Sequence, residues 1–209
     1  MLNSLRTNAL GIAIFATLTA AVIALTYVTT KPVIAHNIKE QQAAKLYQIV
    51  PKTSIDNDLL ASAFNVQDNA LGREHPVTAY RAMKGDRVST VIFPVVTPHG
   101  YSGDISLLVG INADASVAGV RVITHKETPG LGDKLELKKS PWIKQFDGQH
   151  KTSKDDWAVK KDGGQFDQFT GATITPRAVV NAVGETIDYF RANREALLTP
   201  PQHEVQNGN

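Results

Sequence analysis

From Thr7 to Thr30 the chain carries no charged residue. Within that stretch Leu10 to Val28 (LGIAIFATLTAAVIALTYV) is apolar apart from threonines, a glycine and a tyrosine. A helix needs roughly 20 such residues to cross a hydrocarbon core. Threonine is tolerated there because its hydroxyl bonds back to a helix carbonyl. Tyr27 falls near the end, where an amphipathic ring prefers the interface. The rival reading is a cleaved signal peptide, with Val33-Ile34-Ala35 as the cleavage site. Signal-peptide apolar regions run only about 7–15 residues, so length favours a retained anchor. A buried core helix fits poorly, because no polar face exists to meet water. Arg6 precedes the span and Lys31 and Lys39 follow it, so flanking charge does not set the orientation. With one span visible, everything after it lies on one side of the membrane.

The 209 residues are 42% hydrophobic and 20% charged, as expected of a folded domain. A formal charge of +2 without a dense basic run argues against nucleic acid as a partner. Cysteine is absent, which removes disulfides, thiolate nucleophiles and cysteine-ligated iron–sulfur clusters. Redox chemistry in such a chain needs a bound organic cofactor or a partner.

After the span, residues 37–50 read as a helix continuing from the membrane and ended by Pro51. Residues 54–64 give a weak helical signal. VTAYRAM (77–83), the Lys84-Gly85-Asp86 turn and RVSTVIFPVV (87–96) read as a hairpin. ISLLVGI (105–111) places Ile105, Leu107, Val109 and Ile111 on one face. After the NADAS turn, VAGVRVIT (117–124) places Ala118, Val120 and Val122 on one face. HKETPGLGDK is a loop broken by Pro129, Gly130 and Gly132. SPWIKQFD (140–147) reads as a short helix with Ser140 as cap and Pro141 at its first position. Residues 148–166 look polar and irregular. A final helix follows, with Thr175 as cap before Pro176, and with Ala178, Val179, Ala182, Val183, Ile187 and Phe190 on one face. The class is α+β: a single N-terminal transmembrane helix, then an extracytoplasmic domain with an antiparallel sheet and flanking helices. The expected divisions are an anchor at 1–30, a helical linker at 31–50, a domain at 51–199 and a frayed tail at 200–209.

DQFTGAT (167–173) leads into that final helix. A helix N-terminus presents unsatisfied N–H groups and partial positive charge, which suits a phosphate. Gly171 allows close backbone approach, and Ala172 keeps the site small. Arg177 in the first turn opposes the helix dipole, a conflict that a nearby anion or simple exposure resolves. On generic grounds this is equally a glycine turn before a capped helix, HKETPGLG a proline–glycine surface turn, and His125 a polar loop residue. One histidine near one glutamate makes no metal site, and no catalytic residue stands out.

Asp167-x-x-Thr170-Gly171-Ala172-Thr173 resembles the motif on which a flavin transferase attaches FMN, through its phosphate, to the last threonine. His125-Lys126-Glu127-Thr128-Pro129-Gly130-Leu131-Gly132 resembles the H-x-E-T-P-G-L-G loop of the same covalent FMN-binding domains. The order of anchor, GYSG loop, HKETPGLG, TGAT and terminal helix agrees along almost the whole chain. The chain is most similar to the RnfG family, the membrane-anchored flavin subunits of the Rnf (Rsx) ion-translocating electron-transport complex of bacterial inner membranes. A flavin-carrying component of the sodium-pumping NADH:quinone reductase shares the domain.

That resemblance implies a single-pass flavoprotein with its domain in the periplasm. It implies FMN esterified to Thr173, with Asp167 part of what the transferase recognises and Thr170 at the first hydroxyl position of the motif. Gly130 and Gly132 would lie against the flavin ring, their loop N–H groups offsetting charge on the reduced ring, with Thr128 and Leu131 at its border. Its partners are the lipid bilayer, the transferase and neighbouring flavin and iron–sulfur subunits. Ion coupling belongs to the assembly, since the span holds no charge. Alternatives are another covalently flavinylated carrier, such as the quinone-reductase component, and a non-redox anchored assembly module.

The span is expected to stay on the mature protein. Amino-terminal sequencing tests this, and a start at His36 would show cleavage after Ala35 and remove the anchor.

Overall fold

The computed structural model describes residues 2–66, 71–72, 76–153 and 157–200. Helix α1 runs unbroken over Leu2–Ile49, through Pro32. Its stretch Asn8–Ile34, 27 residues, is long and apolar enough to cross a membrane, and none of it is buried within the protein. Hydroxyls of Thr17, Thr19, Thr26, Thr29 and Thr30 bond carbonyls one turn back, so these threonines place no unsatisfied polar group on the helix surface.

The chain divides into two compact units after Gln42. In the second, five strands form an antiparallel meander in the order β1-β2-β3-β4-β5: Ala63–Val66, Val77–Lys84, Arg87–Thr97, Ile105–Asn112 and Val117–Thr124. Gly85, with φ +60°, closes the β2–β3 turn. Helix α2 (Ile174–Ala192) and short helix α3 (Arg194–Leu198) follow the last loop region.

The sheet is covered on both faces. On one face Phe93, Leu107, Val109, Ile111 and Val120 pack with Val179, Val183, Ile187 and Phe190 of α2. On the other, Leu46, Ile49 and Val50 pack with Ala82, Ile92 and Leu108. Gly110 makes that second packing possible, since a Cβ there would come within 2.5 Å of the Ile49 Cγ2. The buried Arg121 donates from Nη2 to the Gln48 carbonyl at 2.8 Å, satisfying one orphan oxygen at the C-terminal end of α1. Residues 43–50, expected as linker, therefore supply core to the domain.

Several expectations need correction. The weak helical signal at 54–64 yields a 3-10 turn over Lys52–Ser54 and then edge strand β1. Ala118 does not share a face with Val120: Val117 pairs with Ile111 and Gly119 with Gly110, so Ala118 is an extra residue in a bulge. It packs on the α1 side, whereas Val120 and Val122 face α2. Residues 148–166 are irregular but not merely polar, because Trp157, Val159 and Phe166 enter the core. Helix α2 buries Val180, Thr186 and Tyr189 as well as its expected face, for Trp157 packs on its other side and donates to the Val180 carbonyl at 2.8 Å. Ser140 does cap the Pro141–Phe146 helix, which is 3-10. Of the expected frayed tail, 201–209 lie outside the described residues.

The β4–β5 turn carries a local pH dependence. Asp114 accepts from Ser116 N at 2.9 Å and from Ser116 Oγ at 2.6 Å. These bonds hold its carboxyl below the usual carboxylate range. A depressed folded pKa stabilises fully above the unfolded value and is lost as pH falls through the folded one. Asp114→Ala should cost about 1 kcal/mol at neutral pH. In thermal unfolding of the detergent-solubilised chain, the gap from wild type should narrow below about pH 4. Curves that stay parallel in acid would remove Asp114 from this role.

Candidate functional site

Three segments converge at one edge of the domain: the GYSG loop after β3, the HKETPGLG loop after β5, and the start of α2. A buried carboxylate joins them. Glu127 is only 4% exposed. Its Oε1 accepts from Ser102 N at 2.9 Å, and its Oε2 accepts from the Thr175 hydroxyl. Its own N–H donates to His125 Nδ1 at 3.0 Å. Both oxygens of the buried charge are thus bonded, which burial requires.

Two glycines leave room for that carboxylate. A Cβ on Gly100 would stand 2.9 Å from Glu127 Oε1, and one on Gly132 2.8 Å from the Glu127 Cβ. The HKETPGLG turn is closed by Leu131 and Gly132 N–H groups donating to the Thr128 carbonyl at 3.1 and 3.0 Å. Gly130, with φ +79°, donates to Asp133 Oδ1 at 2.8 Å.

Over Glu127 opens a cavity of about 370 Å³, lined by Tyr101, Glu127, Thr128, Leu131, Gly132 and the run Gly171 to Thr175. Among the described residues after Ile34, the exposed large hydrophobics are Tyr101, Leu131 and Ile174. All three line this cavity. Apolar surface gathered at a concave mouth marks a ligand site.

The cavity floor reaches the N-terminus of α2. Phe169 to Ala172 form a turn in which the Ala172 N–H donates to the Phe169 carbonyl at 3.2 Å and Gly171 has φ +82°, as a type II turn demands. The helix begins two residues earlier than expected, at Ile174 rather than Pro176, which corrects the cap assignment. Thr173 holds the cap position, in helical geometry and with no side-chain cap bond. Thr175 lies inside the first turn, fully buried, and its hydroxyl serves Glu127 instead. Pro176 falls at the third helical position, where a missing N–H costs nothing.

The expected site residues are divided by the fold. Thr173, Ala172, Gly171, Thr128, Leu131, Gly132 and Glu127 meet at the cavity. Asp167 and Thr170 do not line it; they border a separate shallow hollow with Lys134, Ser140 and Trp142. There Asp167 pairs with Lys160 at 2.5 Å, and its backbone is pinned by Trp142 Nε1 and Gln145 Oε1. Gly130 stands off the lining. His125 stands behind Glu127, against Glu136 at 2.8 Å. Arg177 resolves its conflict with the helix dipole through Asp162, in a two-bond pair at 2.6 and 2.8 Å. That guanidinium holds the Asp162 carboxyl below the usual range, and the Arg177 pKa is raised in turn.

Tyr101 and Ile174 were missed by sequence reasoning. The signal for Tyr101 was an aromatic between glycines in a loop, where no core role explains it. Ile174 read as one more apolar residue at a helix start.

An apolar, solvent-open mouth that ends at a helix N-terminus defines a class of protein: a small α+β domain with a ligand-sized cavity at its edge. Comparison with known proteins makes this specific. Residues 100–188 match the FMN-binding domain family, and residues 1–49 match the RnfG N-terminal region. The chain is 44% identical over 204 residues to the G subunit of the ion-translocating oxidoreductase complex of Aliivibrio fischeri (strain MJ11), covering 96% of this chain and 97% of that one. It is 47% identical over 204 residues to the Yersinia pestis protein of the same name, covering 97% and 95%. With the protein of that name from Vibrio cholerae serotype O1 (strain ATCC 39541 / Classical Ogawa 395 / O395) it shares 43% over 203 residues, covering 96% and 97%. The chain belongs to the RnfG family of ion-translocating oxidoreductase complex subunits.

Thr175→Ala should leave a buried Glu127 oxygen without its donor, at a cost of about 1–3 kcal/mol. Thr175→Ser keeps the hydroxyl and should recover most of that stability. Equal unfolding midpoints for Thr175→Ala and wild type would show that the Glu127–Thr175 bond contributes nothing.

Proposed function

We propose that this chain is an FMN-carrying electron-transfer subunit of an ion-translocating oxidoreductase complex. Asn8–Ile34 anchors it in a bacterial inner membrane, the domain over 51–199 lies in the periplasm, and FMN is esterified through its phosphate to Thr173. Membership of the RnfG family and the FMN-binding match support the first part. The periplasmic placement and the ester rest on the resemblance of the two loop motifs. When bound, FMN supplies one- and two-electron transfer; the protein binds and orients it.

The observation that carries the attachment site is the different situation of the three neighbouring hydroxyls. Thr175 is buried and committed to Glu127. Thr170 is exposed and turned to the hollow beside Trp142. Thr173 is half-buried, lines the cavity and makes no cap bond. A phosphate on its Oγ would meet the first N–H groups of α2. From there a ring can reach the Tyr101, Leu131 and Ile174 surface.

An ester at Thr173 would need a donor that activates the FMN phosphate, such as a pyrophosphate linking it to a nucleotide. The Thr173 oxygen would form the new P–O bond, the pyrophosphate P–O bond would break, and the hydroxyl proton would pass to the released nucleotide phosphate. Asp167 and Thr170 border a separate hollow outside the cavity; the motif resemblance supports Asp167 as part of what the transferase recognises.

Thr173→Ala should fold and insert yet carry no covalent flavin when made alongside an active flavin transferase, whereas Thr173→Ser should retain some. Ultraviolet fluorescence of the denatured band, with peptide mass spectrometry, reads the outcome. FMN persisting on Thr173→Ala and mapped to Thr170 would refute the assignment.

A further inference from the structure

His125 lies outside the cavity lining, one hydrogen bond behind it. Its side chain is only 11% exposed. The Glu127 N–H reaches Nδ1 at 3.0 Å, and an amide N–H only donates, so Nδ1 must offer a lone pair. Nε2 stands 2.8 Å from Glu136 Oε1, an acceptor, so Nε2 must carry the hydrogen. The two neighbours fix one tautomer of a neutral imidazole. A second proton on Nδ1 would set donor against donor and release the Glu127 backbone.

That backbone matters because of what its side chain does. Glu127 ties Ser102 of one loop to Thr175 of α2 across the cavity. We propose that His125, oriented by Glu136, is a positioning residue: in its Nε2–H form it holds Glu127 in place and keeps the cavity in shape, and its protonation loosens the three segments together. The effect on FMN rests on the function proposed above; the His125–Glu127 link does not.

Other charges face this ring. Lys45 of α1, Arg121 of β5, and Glu136 and Lys138 line with His125 a hollow of about 410 Å³. Lys45 is occupied by the Ile123 carbonyl at 2.9 Å and Arg121 by the Gln48 carbonyl at 2.8 Å. Glu127, on the same loop as His125, has its carboxylate turned to Ser102 and Thr175.

The test uses the full chain in detergent, with and without covalent FMN. In the flavin-free protein at about pH 8, nitrogen NMR of the imidazoles should show a pyridine-type Nδ1 and a pyrrole-type Nε2 at His125. Hydrogen exchange over residues 125–132, corrected for intrinsic rates, should quicken roughly fivefold at about pH 5, the loss of one hydrogen bond. His125→Phe should show the fast exchange already at about pH 8. His125→Asn, whose Oδ1 can accept from the Glu127 N–H, should stay slow at both. In the flavin-loaded protein the visible circular dichroism should follow the same order. A pyrrole-type Nδ1 overturns the proposal. So does equal exchange in wild type and His125→Phe, or a His125→Asn profile that keeps the wild-type pH dependence. Should His125→Phe fail to fold, the comparison of His125→Asn with wild type decides. A wild-type chain that passes the NMR and exchange tests but takes up no FMN would count against the cofactor reading alone.

Discussion

The functional edge of this domain depends on one buried carboxylate. An ionised group out of water is costly unless hydrogen bonds replace its hydration. Glu127 meets that demand with donors from two other segments, the Ser102 N–H and the Thr175 hydroxyl. Each donor fixes the segment that carries it. Loops that would otherwise move independently are held at one distance from each other, and the cavity between them acquires a shape. The glycine at 132 follows from the same demand, because a Cβ there would stand 2.8 Å from the Glu127 Cβ and 2.9 Å from its Oε2; at 100 a Cβ would also meet the Gly103 carbonyl oxygen at 2.3 Å.

Behind that edge the fold supplies rigidity from both faces of a meander sheet. Helix α2 packs along one face, with Phe93 edge-on to Tyr189 at 5.8 Å. The last turn of α1 packs on the other, admitted by Gly110. Among its described residues the loop before α2 has no strand or α-helix, and an aromatic cluster holds it instead. Trp142 stands 4.9 Å from Phe169, and Phe166 lies 4.7 Å from Phe146 and 4.8 Å from Trp157. Because Phe169 is locked, the turn at Gly171 and the cap position at Thr173 are aimed into the cavity.

Legibility in the sequence followed the length scale of the signal. The membrane helix, both hairpins and the α2 core face announce themselves through local periodicity and turn residues. The Ala118 bulge was not legible, since nothing in VAGVRVIT distinguishes an extra residue from a regular alternation. The helix start was misplaced by two residues because Thr175-Pro176 is a good local cap. A long-range bond to Glu127, 48 residues away, prevailed over it. The segments carrying TGAT and HKETPGLG both line the cavity. The resemblance did not separate the residues that meet there from Asp167, Thr170 and Arg177, which face elsewhere. Sorting them needed the fold, because faces of a loop have no period.

The division of roles among neighbouring hydroxyls bears on how a tethered carrier works. Thr175 and Thr173 are two residues apart, and a helix start turns them in different directions. One holds the pocket together through Glu127, and the other stays open to the cavity. If Thr175 also faced the cavity, Glu127 would lose its donor and the pocket would lose its link to α2. On the proposed reading the same short turn must therefore do two things: present a hydroxyl outward for attachment and bury another inward for support. The exposed apolar mouth completes the logic. On that reading a ring lying on Tyr101, Leu131 and Ile174 stays near solvent, and an ester at Thr173 would keep it from leaving.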